Sequence, residues 1–140
     1  MKHLIIAVLL VFTTNLYSQN IESDPLFLKY ENEYHNGALK KLDFNLYEKN
    51  LGAFDKSFKD AKASVSFNKS KDKQRWIEKN LDRTSFSSIN EAKALYNSIT
   101  DFEVKHREAS VEIAKLNTEL EKKYSGKEIF AALKRRYEKK

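Results

Sequence analysis

Two glutamate–histidine pairs are the residues whose types and spacing come nearest to chemistry in this chain. Glu31 stands four positions before His35, and Glu103 three before His106. On a helix both spacings set a carboxylate beside an imidazole. Glu-x-x-His is half of the di-iron carboxylate set built inside helical bundles, and the full set needs a second such motif and two more glutamates. Asn32 holds the matching position before His35, so the set falls short. Glu31, His35, Glu103 and His106 are the metal-ligand candidates, and no cofactor is expected. At His106 the pattern favours structure, because the residue falls on an apolar seam where a polar side chain helps to set helix register.

Other chemistries lack their residues. Cysteine is absent and the only Met is Met1. Thiol catalysis, thiolate zinc sites, iron–sulfur clusters and His/Met haem ligation are excluded. No glycine-rich phosphate loop, G-x-S-x-G or H-E-x-x-H occurs. The acids fall on faces expected to be solvated, and nothing selects a catalytic pair. The chain is read as a binding protein, not an enzyme.

Two basic clusters point to anionic partners. One surrounds Trp76: Arg75, Lys79 and Arg83, with Lys69, Lys71 and Lys73 nearby. Asp72, Glu78 and Asp82 interleave and weaken its field. The other is Lys134, Arg135, Arg136, Lys139 and Lys140, opposed only by Glu138. Cations at a helix C-terminus suit its dipole. The same cluster suits an anionic surface such as lipid headgroups or acidic glycans. It is the stronger candidate for anionic contact.

The N-terminus carries compartment information. Lys2 precedes an apolar run from Leu4 to Phe12, and Asn15-Leu16-Tyr17-Ser18 follows. This is the layout of a secretory signal peptide, with cleavage expected between Ser18 and Gln19. The run is shorter than the roughly 20 residues that span a bilayer. Removing Lys2 leaves 25 basic against 20 acidic residues, a net charge of +5. The expected location is secreted or periplasmic, and nucleic acid is not an expected partner.

Helices must position these residues. Residues 19–140 form one helical domain's length. Asp24-Pro25 reads as an N-cap followed by proline at the first helical position. Leu26, Phe27, Tyr30 and Tyr34 mark one face, ended by Gly37. Phe44, Tyr47, Leu51, Phe54, Phe58, Ala61 and Val65 then repeat at 3, 4, which predicts a long helix over about 38–68, continuous or mildly kinked at Gly52. A connection over 69–88 contains a short helix near Trp76, Ile77 and Leu81. Ser88 and Glu91 fit a capping box. From there Ala92, Leu95, Ile99, Phe102, His106, Ala109, Ile113, Leu116 and Leu120 keep the same spacing, which predicts a second long helix over 89–124. Ser125 and Glu128 open a basic C-terminal helix over 127–138, whose stripe is Ile129, Phe130, Leu133 and Tyr137.

The fold class is therefore all-α: an elongated antiparallel hairpin or bundle, with two long coiled-coil-like helices and short flanking ones. The N-terminal and C-terminal stripes should pack on each other. Val104 and Val111, opposite the main seam, are expected beneath a short helix or at a homodimer contact. The chain resembles no family closely enough to name; it shares only a general character with small basic helical chaperones of the periplasm and lacks their Leu-Thr-x-x-Gln motif. The leading reading is an exported, chaperone-like or partner-binding protein. The alternatives are an adaptor on anionic envelope surfaces and a helical enzyme or metal protein.

Overall fold

The computed structural model describes residues 20–138. These residues are helical throughout, joined by turns and one isolated bridge between Phe58 and Thr84. The expected signal peptide and its cleavage point lie outside them, as do Lys139 and Lys140. A single 3-10 turn at Ile21–Ser23 leads into α1 (Pro25–Asn36). After a second 3-10 turn at Ala38–Lys41 come α2 (Phe44–Lys56), α3 (Ala61–Lys69) and α4 (Lys73–Lys79). A third turn at Leu81–Arg83 precedes α5 (Ile89–Glu121) and α6 (Gly126–Tyr137). The described residues fall into two compact units. One unit holds the described residues up to Lys40 and from Ser110 onward; the other is Lys41–Ala109.

In the first unit, α1 starts where local chemistry puts it. The Asp24 carboxylate accepts from the Leu26 amide at 2.8 Å, and Pro25 occupies the first turn. Gly37 ends the helix, and its amide donates to the Glu33 carbonyl at 3.1 Å. A Cβ at Gly37 would collide with that carbonyl oxygen. Phe27, Tyr30, Leu116, Leu120, Ile129 and Ala132 form this unit's core, with Ile21 at its edge. The terminal helices thus share a core, but through a different face of α6. Ile129 and Ala132 are buried and Leu133 is half-buried, while Phe130 is 68% exposed. Ala132 takes the inner position because a small side chain lets the helices approach closely.

In the second unit the long helix expected over 38–68 is broken, and not at Gly52. That glycine lies within α2, where an added Cβ would meet nothing within 4 Å. The break falls at Ser57–Asp60. The Ser57 hydroxyl donates to the Phe54 carbonyl at 2.6 Å, and the Ser85 amide donates to the Ser57 carbonyl at 2.8 Å. The Lys59 amide reaches the Arg83 carbonyl at 3.0 Å, and Asp60 caps α3 by accepting from the Ala63 amide at 2.7 Å. These bonds satisfy the free backbone groups that a helix break exposes. The turn carries Phe67 back onto Phe54, with ring centroids 5.2 Å apart. Phe54 also meets Phe58, Phe86 and Tyr96 within 5.7 Å, and Phe67 meets Trp76 at 5.3 Å. Ala63 and Phe67 replace Ala61 and Val65 as the core positions of α3; Val65 is 51% exposed.

The helix from Ile89 runs 33 residues, close to the expected span. Its start differs slightly from a capping box. Ser88 Oγ accepts from the Glu91 amide at 3.1 Å, but the Glu91 carboxylate returns to the amide and hydroxyl of Ser87. Along α2 the partners on α5 descend. Phe44 meets His106, Tyr47 meets Phe102, Asn50 bonds Ser98, and Phe54 meets Tyr96. The second capping box, Ser125 with Glu128, is complete.

Candidate functional site

Among the described residues, the C-terminal cations are not a free patch. Arg136 Nε lies 2.9 Å from Glu31 Oε2, and Glu31 is buried, its side chain 8% exposed. The Nε–H is not aligned on the oxygen, so the contact is charge against charge more than a hydrogen bond. Glu31 holds the Arg136 guanidinium above its ordinary range. Arg135 Nε is 2.6 Å from Glu22 Oε1, and Lys134 Nζ is 3.7 Å from Glu138 Oε1. All three described members of the set are spent on acids of this chain, and two of those acids come from its other end. Arg135 and Arg136 fasten α6 to the N-terminal segment.

The metal candidates are not gathered. Glu31 serves Arg136, and His35 stacks against Tyr137 at 5.4 Å with its Nε2 buried and unpartnered. Glu103 accepts from the Tyr47 hydroxyl at 3.2 Å. His106 is half-buried, edge-on to Phe44 at 5.7 Å and stacked on Phe102 at 6.1 Å. Among the described residues no three His, Asp or Glu side chains are grouped to hold a metal.

Asp24 holds several partners at once. Besides capping α1 it accepts from the Tyr124 hydroxyl at 2.8 Å and sits 3.3 Å from Lys123 Nζ. Burial pushes its carboxyl up, but the Leu26 amide, the Tyr124 hydroxyl and Lys123 outweigh that and leave it below the usual range.

Around Trp76 two of the three interleaved acids have partners outside the basic side chains of the cluster. Asp72 caps α4 through the Arg75 amide, Glu78 pairs with Lys93, and Arg83 lies 3.8 Å from Asp60. Trp76 itself is core, its indole N–H donating to Ser66 Oγ at 3.0 Å. Lys73 is consumed at the end of α3, where its ammonium donates to the Phe67, Asn68 and Ser70 carbonyls. Arg75 and Lys79 stay exposed without an ion pair among the described residues, and so do Lys62 and Lys69 on α3. Sequence reasoning passed over Lys62 because α3 was folded into a longer helix.

Two apolar features stand out at the surface. Phe130 and Tyr137, each 68% exposed, sit seven residues apart on α6 and so share a face, with Lys127 and Lys134 beside them. Both had been expected in the core. Val104 and Val111 are 39% and 61% exposed, so no short helix covers them. No helix of the described residues is long and apolar enough to cross a membrane. No protein-family model, curated protein or solved structure matches this chain.

Proposed function

We propose that this chain is an exported helical binding protein, without a catalytic role, that takes hold of its partner through the exposed aromatic edge of α6. The observation that carries this reading is the pair Phe130 and Tyr137, both largely in water although Ile129 and Ala132 on the same helix are buried. Fully burying one such ring contributes about 1.5–3 kcal/mol, and aromatic rings lead among residues that dominate interfaces. The neighbouring acids act as caps and ion-pair partners, which supports binding over acid–base catalysis. In this reading the helices form an antiparallel scaffold, supported by the descending order of contacts between α2 and α5.

A chaperone-like role follows from an aromatic edge flanked by lysines, which suits unfolded chains with exposed apolar segments. The test is suppression of aggregation of an unfolded client protein. The wild type should slow it, and the Phe130→Ser, Tyr137→Ser double variant should not. Equal suppression by both would remove α6 as the contact surface. A second reading, an adaptor lying on anionic envelope surfaces, is favoured by Lys127 beside the rings. It requires binding to anionic vesicles that weakens steeply with salt. A homodimer through Val104 and Val111 is a separate proposal, tested by sedimentation of the mature chain.

A further inference from the structure

The groove between α3 and α4 combines an apolar lining with uncompensated positive charge. Ala61, Lys62, Val65 and Lys69 of α3 line it, with Ser66 and Trp76 at its base. On a helix these α3 positions fall on one face. Ala61 and Val65 are exposed one turn apart, and Val65 is 51% open to solvent. Lys62 and Lys69 stand about 10 Å apart along the helix, from the 1.5 Å rise per residue. Both are exposed and carry no ion pair among the described residues. Lys134, Arg135 and Arg136 each lie against an acid of this chain; among the described residues the lysines here do not.

We propose that this groove binds a single-chain anionic amphiphile. The apolar chain lies along Ala61 and Val65 over the edge of Trp76, and the carboxylate or phosphate head is held by the lysine ammoniums. An apolar lining rules against a sugar-like polyanion, which would leave Val65 uncovered. Two lysines at the rim rule against a neutral lipid, which would leave their charges unanswered. The site is separate from the α6 edge, so either proposal can fail without the other.

Trp76 is the chain's only tryptophan, so its fluorescence reports on this groove. The mature protein is titrated with dodecanoate below its micelle concentration, and in parallel with dodecyl phosphate, dodecyl maltoside and poly-glutamate. Saturable changes in emission are expected with the two anionic amphiphiles, and their relative strengths identify the preferred head. Lys62→Gln with Lys69→Gln should weaken dodecanoate at least about tenfold while circular dichroism stays unchanged, since both side chains are exposed. Val65→Asp should weaken it as well, and Phe130→Ser with Tyr137→Ser should leave it intact. No saturable change with either anion would overturn the proposal. So would equal affinity for dodecyl maltoside, equal affinity of the lysine double variant, or displacement of dodecanoate by poly-glutamate at matched charge.

Discussion

Replacing Asp24 by Ala should cost more stability than any other single acid-to-Ala change in the first unit's helix caps. Its carboxylate does two jobs at once. As N-cap of α1 it satisfies the Leu26 amide, a role whose loss costs about 1 kcal/mol. It also accepts from Tyr124, tying α1 to the turn after α5. A hydrogen bond to a charged group is worth about 1.5–3 kcal/mol, reduced to about 1 kcal/mol for a group just beneath the surface, where water still screens it. Lys123 is half exposed and adds little. The sum is about 2 kcal/mol, or roughly 8 °C of melting temperature for a domain of this size. Asp24→Asn keeps a good capping oxygen and should lose the smaller part.

The pH dependence follows from the lowered carboxyl. The unfolded Asp titrates at about 3.9. Asp24 therefore contributes fully above that value, and its contribution is lost as pH falls through the lower, folded value. Melting curves followed by circular dichroism from pH 7 to pH 3 read both effects. The gap between wild type and Asp24→Ala should be full at pH 7 and shrink toward pH 3. A gap of only a degree or two at pH 7, or one that widens on acidification, would refute this reasoning.

Further substitutions separate the other claims. Gly52→Ala should raise stability by about 0.5–1 kcal/mol, because the glycine sits in open space within α2; Gly37→Ala should lower it through collision with Glu33. Arg136→Gln strands the buried Glu31 and should lower the melting temperature clearly more than Arg135→Gln, whose own side chain is half exposed; equal effects would show that the Glu31 pair is not a fastening. His106→Leu should keep or raise the melting temperature, since Phe44 and Phe102 already line its place; a marked loss would mean that the imidazole makes a needed polar contact.

What the sequence made legible is what local chemistry decides. Asp24-Pro25 and Ser125 with Glu128 mark helix starts because a cap needs only its nearest neighbours. The run from Ala92 to Leu120 predicts α5 because one spacing persists over eight turns. The break at Ser57–Asp60 was hidden because the 3, 4 spacing runs through it. It is held by bonds to Arg83 and Ser85, some 25 residues later, which periodicity cannot register. The exposed Phe130 escaped notice for a related reason. A large ring scores as core, yet Ala132 wins the inner face because it lets α6 approach closely. The ion pairs of Arg135 and Arg136 join opposite ends of the chain. Their acids were visible, and the expected packing of the terminal helices was the signal that could have paired them.

The aromatic edge of α6 is the claim on which the functional reading rests. The most direct test is affinity capture from the native envelope fraction with the mature wild type and with the Phe130→Ser, Tyr137→Ser variant, at low and high salt. The account predicts a specific protein held by the wild type at both salts and lost from a variant whose circular dichroism is unchanged. The same protein retained by the folded variant would contradict it.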